Sequence, residues 1–248
     1  MLIELTSVSK TFSDGRKQSW QSLSDITIGV EKGEFVCFLG PSGCGKTTLV
    51  NLMAGFESPT SGSVHIGGEP VSRPSIRHVT IFQDYGLLPW RTVKKNVELG
   101  LETQKIGRRE RARKAEDLIR KVGLDGFAKY RPWQLSGGMR QRVAIARALA
   151  VEPEIIFMDE PLGSLDALTR MAMQDEILAL KREKGATIVF VTHDVDEAVF
   201  MADRIVVMTP GPGRIKKVFS VDLPHQRERS SSEFASLRRA VIEEMMAC

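Results

Sequence analysis

Residues Gly40 to Thr47 read Gly-Pro-Ser-Gly-Cys-Gly-Lys-Thr and fit G-x-x-x-x-G-K-[ST], the pattern of a phosphate-binding loop. The residue types suit that task. Glycines let backbone N–H groups close on phosphate oxygens with no Cβ in the way. A helix opening at the end of the loop adds the positive pole of its dipole. Lys46 is long enough to reach the outer phosphates, and the Thr47 hydroxyl suits Mg²⁺. The flanks supply the required context. Glu34 to Leu39 is a short apolar run of strand type, and Thr47 to Ala54 reads as a helix stopped by Gly55. Gly40, Pro41, Ser42, Gly43, Cys44, Gly45, Lys46, Thr47 and Thr48 are therefore predicted to bind a nucleoside triphosphate.

A second element is Ile155-Ile-Phe-Met-Asp159-Glu160, an apolar strand that delivers two carboxylates at its C-terminal end, where parallel sheets bind ligands. Asp159 is placed to hold Mg²⁺ through its water shell, and Glu160 to orient and deprotonate an attacking water. Alone, this would read equally well as a strand ending in a solvated acidic turn; the phosphate loop upstream favours the catalytic reading. The third element, Leu135-Ser136-Gly137-Gly138-Met139-Arg140-Gln141, is another glycine-rich helix start and so another anion site. A lone Ser-Gly-Gly is usually a cap or a turn, and its weight comes from its company. One chain with two phosphate-binding helix starts points to a two-fold dimer, each nucleotide lying between one copy's loop and the other copy's Ser136, Gly137 and Gly138.

These groups need a scaffold of alternating strands and helices. After Asp159 the chain reads as helix Asp166 to Lys184, strand Thr187 to Val191, helix Asp194 to Met201 and strand Arg204 to Met208, the pattern of right-handed parallel crossovers. Before it, Val93 to Leu101, Arg108 to Val122 and Gly137 to Ala150 have helical spacing with no strand between them, which predicts a helical lobe inserted into the core at about residues 87–150. Leu2 to Val8, Leu23 to Val30 and Ser63 to Gly67 read as strands of a flanking antiparallel sheet, with turns at Ser13 to Gly15 and Ser58 to Gly62. His78 to Phe82 is a buried-type strand, and Pro210 to Gly213 turns into a last hairpin-like strand, Arg214 to Val221. Residues 1–224 thus form one unit, and 225–248 a tail whose Phe234, Leu237, Val241 and Met245 make an apolar stripe expected to pack on that unit.

Composition narrows the class. At 42% hydrophobic and 27% charged, the 248 residues are those of a soluble globular protein. No run approaches the ~20 apolar residues of a membrane-spanning helix. The opening Met-Leu-Ile-Glu-Leu lacks the basic segment of a secretion signal, and three cysteines without metal-type spacing suit a reducing compartment. The net charge of +4 is mild, and its basic cluster (Lys105, Arg108, Arg109, Arg111, Arg113, Lys114) reads as a solvated helix face. No recognition module for nucleic acid is present, so no nucleic-acid partner is expected.

Taken together, the segments resemble the nucleotide-binding subunit of an ABC transporter over about residues 1–220. The fold this implies is α/β: a P-loop NTPase (RecA-like) core with a flanking antiparallel β-subdomain and an inserted helical subdomain. Leu135 to Gln141 resembles the family signature, with Met139 where glutamine is commoner. By resemblance, Phe12 stacks on adenine and Gln83 contacts Mg²⁺ or water and senses the permease. His193 holds the γ-phosphate, and Asp166, in Ser164-Leu165-Asp166, crosses the dimer interface. The implied cofactors are ATP and Mg²⁺. The implied partners are a second copy, an integral-membrane permease and, indirectly, a substrate-binding protein, with the chain peripheral on the cytoplasmic face of the membrane.

Gln83-Asp-Tyr-Gly-Leu-Leu-Pro-Trp90, His193-Asp-Val-Asp-Glu-Ala and Pro210-Gly-Pro-Gly-Arg214 are similar to the nitrate, sulfonate and taurine group of bacterial importers. Leu87, Leu88 and Trp90 bracket Pro89 and either dock a permease helix or pack under the helical lobe. A soluble P-loop ATPase acting on DNA or ribosomes would carry two cassettes or a long coiled coil, for which the chain has no room. A GTPase would need a guanine-reading Asn-Lys-x-Asp, which is missing, and an inactive subunit would have lost Lys46 or Glu160, which are present. The expected activity is ATP hydrolysis driving solute uptake.

Overall fold

The structure is a computed structural model and describes residues 1–248 apart from Asp14, Arg16, Lys17, Ile76, Gln83, Lys105, His225, Gln226 and Cys248. The chain opens with two long strands, β1 (Ile3–Ser13) and β2 (Ser19–Val30), then β3 (Phe35–Leu39) and the helix α1 (Lys46–Ala54). β4 (Ser61–Ile66), the two-residue β5 (Glu69–Pro70) and β6 (His78–Ile81) follow. Next come the helices α2 (Val93–Val97), α3 (Arg108–Lys121) and α4 (Gly137–Ala150), which pack on one another. The remainder alternates: β7 (Ile155–Asp159), α5 (Ala167–Lys184), β8 (Thr187–Thr192), α6 (Val195–Met201), β9 (Arg204–Met208), β10 (Ile215–Ser220) and α7 (Ser232–Met246).

Two sheets result. β2-β1-β4-β5 is antiparallel. The central sheet runs β10-β9-β3-β8-β7-β6, parallel except for the hairpin of β9 with β10. Strand periodicity divides the central sheet's side chains between two cores. Phe35, Cys37, Leu39, Ile156, Met158, Ile188 and Phe190 face one way and pack with the helices α2 to α7. Val36, Phe38, Ile155, Phe157, Val189 and Val191 face the other way, against α1 and the inner face of the antiparallel sheet. Burial on both faces explains why β3, β7 and β8 read as unbroken apolar runs rather than alternating ones.

Several boundaries differ from the sequence reading. β1 runs on past Val8 to Ser13, because register shifts after Leu5, Val8 and Lys10 let it keep pairing with β2 while it bends. The strand read at Ser63 to Gly67 is β4, starting at Ser61, and His78 to Phe82 is shortened to His78–Ile81. The single helix expected over Val93 to Leu101 is instead α2 followed by a 3-10 turn over Gly100–Thr103. Gly100 has poor helix propensity, and a Cβ there would lie 2.2 Å from the Val151 side chain, so the chain tightens where it presses on the end of α4. The stripe of α7 packs as expected: Phe234 and Val241 are buried, with Leu237 and Met245 beside them. Cys37 and Cys44 are free, buried thiols.

Candidate functional site

β3, β8 and β7 lie side by side and parallel, so their C-terminal ends open on one edge of the sheet. β3 runs into the loop Gly40 to Gly45, β7 ends on Asp159 and Glu160, and β8 ends one residue before His193. Gly43 and Gly45 take left-handed conformations (φ 80° and 90°), which glycine adopts without strain. A Cβ on Gly45 would also lie 2.6 Å from Leu23 and 2.8 Å from the Ser22 carbonyl, so β2 presses directly on the start of α1. The Ser22 and Thr48 hydroxyls are 2.9 Å apart across the same contact. The turn after Pro210 backs the loop as well: a Cβ on Gly213 would lie 1.9 Å from the Cys44 carbonyl.

Lys46 is buried and folded onto its own loop. Its Nζ donates to the Gly40 and Pro41 carbonyls at 2.8 and 2.9 Å. Those carbonyls hold the ammonium in the mouth of the loop and satisfy the charge without an acid partner. Cys44 Sγ lies 3.8 Å from the same nitrogen, and burial pushes its thiol pKa up. Asp159 is buried, and burial raises its carboxyl pKa above the ordinary value; a hydrogen bond with the Thr47 side chain and the charge of Lys46 work the other way. Thr47 and Asp159 therefore sit together as two hard oxygen donors, a fit to Mg²⁺ whose other ligands are phosphate oxygens and water. Among the described residues there is no cluster of three or more His, Cys, Asp or Glu side chains to form an all-protein metal cage.

Glu160 has φ 46°, a left-handed backbone for a residue with a Cβ, and its N–H donates to the Val191 carbonyl at 3.0 Å. This strained turn points the carboxylate to within 3.2 Å of His193 Nδ1. The His193 loop is itself pinned. Thr192 Oγ1 donates to the buried Glu197 carboxylate at 2.7 Å, and Asp194 Oδ1 caps α6 by accepting from the N–H groups of Asp196 and Glu197. Burial raises the Glu197 pKa, and Arg170 of α5 lies 3.7 Å from both acids.

Ser136 is the N-cap of α4, its Oγ accepting from the Met139 N–H at 3.3 Å. The hydroxyl hydrogen stays available to donate. Cβ atoms on Gly137 and Gly138 would sit 3.2 Å from the Tyr85 hydroxyl and 3.3 Å from Leu165, so both glycines permit close approach of neighbouring loops. Asp166 caps α5 by accepting from the Thr169 N–H at 3.0 Å, and the Thr169 bonds hold its carboxyl below the usual range. Phe12 is partly buried, stacked on Trp20 with ring centroids 5.5 Å apart. Gln83 lies outside the described residues. The loop after it divides: Leu87 packs on the core, while Pro89 and Trp90 are exposed.

Sequence reasoning missed four residues that shape this site. Arg147 of α4 donates to the Tyr85 and Gly86 carbonyls at 3.0 and 2.6 Å. The buried Asn96 of α2 accepts from the Leu88 N–H and donates to its carbonyl, which fixes the loop that carries Trp90. Tyr85 reaches Gly137, and Ser22 reaches Thr48. The one available signal was an arginine, Arg147, in the alanine-rich second half of α4.

A family model described as ABC transporter matches residues 23–163. An uncharacterized ABC transporter ATP-binding protein of Methanocaldococcus jannaschii is 49% identical over 222 residues, covering 90% of this chain and 83% of that protein. The taurine import ATP-binding protein of Yersinia pestis is 44% identical, covering 91% of each, and the aliphatic sulfonates import ATP-binding protein of Bacillus cereus is 41% identical, covering 98% and 96%. A solved dimeric ATP-binding cassette, in a post-hydrolysis state with ADP and Pi, superposes with a TM-score of 0.82 at 32% identity, covering 90% of this chain and all of the other.

Because burial raises the Asp159 pKa, the folded state holds that proton more tightly than the unfolded chain does. Ionisation therefore costs stability as pH rises through the raised value, and the cost is absent at low pH. Asp159→Asn is expected to melt higher than the parent in Mg²⁺-free buffer at pH 7, with the gap narrowing towards pH 4. Thermal melts across that range check it, and a gap that widens on acidification would contradict the assignment.

Proposed function

The chain belongs to the ABC transporter family as an ATP-binding subunit, and we propose that it hydrolyses ATP to drive import of a taurine- or sulfonate-type solute through a separate membrane permease. The observation that carries the chemistry is the convergence of Lys46, Thr47, Asp159, Glu160 and His193 on one edge of the sheet, with Thr47 beside Asp159 and Glu160 3.2 Å from His193. The solute class is supported by relatives with import names that align over nearly the whole chain.

The triphosphate lies on Gly40 to Thr48, its oxygens taking the N–H groups of the loop and of α1. Lys46 exchanges its bonds to Gly40 and Pro41 for phosphate oxygens without leaving the loop mouth. Thr47 and Asp159, with Gln83, would hold Mg²⁺, which would supply positive charge against the phosphates. Glu160 takes the proton of the attacking water. His193, whose Nδ1 lies 3.2 Å from the Glu160 carboxylate, contacts the terminal phosphate. The pocket is completed by a second copy: Ser136 through its free hydroxyl hydrogen, Gly137 and Gly138 through backbone N–H groups, and Asp166 across the interface. Among the described residues no helix is long and apolar enough to cross a membrane. The chain sits peripherally on the cytoplasmic face, with the exposed Trp90 turned to the permease.

Glu160→Gln is expected to keep ADP affinity and lower turnover at least ~100-fold, the scale of a lost general base; undiminished turnover removes Glu160 from the role. Ser136→Arg should leave binding to the single chain intact and abolish ATP-dependent dimer formation in light scattering, and normal hydrolysis in that variant would sink the shared pocket. A deletion strain should fail to grow with taurine or an alkanesulfonate as sole sulfur source and grow normally on sulfate. Equal growth on all three refutes the solute class and leaves the hydrolytic site standing.

A further inference from the structure

We infer that Arg170 is a positioning residue for hydrolysis: its guanidinium holds the His193 loop against Glu160 and ties that loop to the one that carries Asp166. This rests on the hydrolytic reading of Glu160 and His193. Arg170 lies in the first turn of α5, where its backbone N–H donates to the Asp166 carbonyl at 2.8 Å. Its guanidinium has partners on two loops. Nη2 donates to the Leu165 carbonyl at 3.1 Å. Nη1 lies 3.7 Å from Asp194 Oδ2, and Nε lies 3.7 Å from Glu197 Oε1. Those two acids fix the residues on either side of His193. Glu197 accepts from Thr192 Oγ1 at 2.7 Å through its other oxygen, and the Asp194 N–H donates to the same Thr192 Oγ1 at 3.0 Å. Among the described residues no other lysine or arginine pairs with Asp194 or Glu197. Asp196, the third acid of that turn, is taken by Arg238 of α7, whose Nε donates to it at 2.8 Å.

The contacts close into a ring. Glu160 opens a tight loop in which the Gly163 N–H donates to the Glu160 carbonyl at 3.4 Å and the Leu165 N–H to the Leu162 carbonyl at 3.2 Å. That loop leads to the Leu165 carbonyl that Arg170 holds. From Arg170 the ring passes through Glu197 and Asp194 to His193, and from His193 Nδ1 back to the Glu160 carboxylate. The His193–Glu160 contact involves an imidazole that is 60% exposed, and a pair open to water to that extent is weak alone. The other arm of the ring includes the buried Glu197, and Arg170 is the member that joins its two halves. At 3.7 Å its contacts with the acids are too long to be hydrogen bonds, and its buried Nε has no hydrogen-bond partner among the described residues. A buried donor without an acceptor is costly. The fork is thus bonded to the Leu165 loop and only charge-paired with the His193 loop. A second copy that presses on the Asp166 loop moves Leu165, and Arg170 with it, towards the acceptor that Nε lacks. Docking at Asp166 is in this way felt at His193.

The test is steady-state hydrolysis of MgATP by the full chain, with ADP affinity measured by calorimetry. Arg170→Met is expected to lower kcat about 10- to 100-fold, the scale of a misplaced catalytic group, and to leave KM for ATP and ADP affinity within about 2-fold of the parent. Arg170→Lys keeps the charge but cannot span three acceptors, so its kcat falls between those of the parent and Arg170→Met. In a His193→Ala background, read by single turnover, Arg170→Met adds less than about a 2-fold loss, because the residue acts through His193. Where Arg170→Met does not fold, Arg170→Lys carries the same comparisons. Four results overturn the role: an unchanged kcat in Arg170→Met, or in Arg170→Lys where it stands alone; a KM or ADP affinity that moves as far as kcat; a lysine variant no better than the methionine one; or an equal loss with and without His193. A parent chain that binds ADP yet hydrolyses no ATP overturns the hydrolytic reading first and this inference with it.

Discussion

The central sheet is apolar on both faces, and that constraint decides where chemistry can occur. β3, β7 and β8 have no exposed side chain, because one set of residues faces α1 and the antiparallel sheet and the other faces the helices. An uncompensated polar group inside these strands would cost several kcal/mol. Polar side chains are therefore confined to the places where strands stop. Because the three strands are parallel, they stop at the same edge. The loop after Leu39, the pair Asp159–Glu160 and His193 are neighbours for this reason, although more than a hundred residues separate the first from the last.

The same edge concentrates the costs of the fold. Lys46 and Asp159 are nearly inaccessible, Glu160 sits in a left-handed conformation, and Glu197 is buried beneath the His193 loop. Each is compensated locally: Lys46 by two carbonyls, Asp159 by Thr47, Glu197 by Thr192, and the Glu160 backbone by Val191. A site of this kind is rigid before its ligand arrives, so little ordering has to accompany binding. The glycine contacts act to the same end from outside, since Gly45 and Gly213 allow β2 and the 210–213 turn to brace the loop at distances a side chain would forbid.

What the sequence disclosed and what it hid divide along the range of the interaction. The phosphate loop, Asp159–Glu160 and the Ser136 cap are local: each needs only a strand or helix end and the few residues at it, so order along the chain was enough to find them. The alternation from Ile155 onward disclosed the parallel core for the same reason. Hidden were features set by register between distant segments. Val8 appeared to end its strand because the register shifts that carry β1 on to Ser13 leave no mark in hydrophobic pattern. Trp20 is unremarkable until pairing sets it opposite Phe12. Arg147 and Asn96 looked like ordinary helix residues, and their partners, Tyr85, Gly86 and Leu88, lie in a loop that carries no periodicity at all.

Those hidden contacts meet at α4. Its first turn touches Tyr85 at Gly137 and Leu165 at Gly138, its Arg140 guanidinium lies 5.4 Å from the Tyr85 ring, and its Arg147 holds the Tyr85 and Gly86 carbonyls. The loop of Leu165 begins at Glu160, and the loop of Tyr85 begins where β6 ends. The start of α4 is thus clamped between two segments that issue from adjacent strands of the sheet. A close-packed joint of this kind shifts between discrete arrangements rather than deforming smoothly. Movement of the Tyr85 loop cannot leave the Ser136 helix start where it was, because three contacts along one face of α4 tie them together. The Ser136 helix start and the exposed loop carrying Trp90 are in this sense parts of one rigid unit, joined through Asn96 at one end and Arg147 at the other.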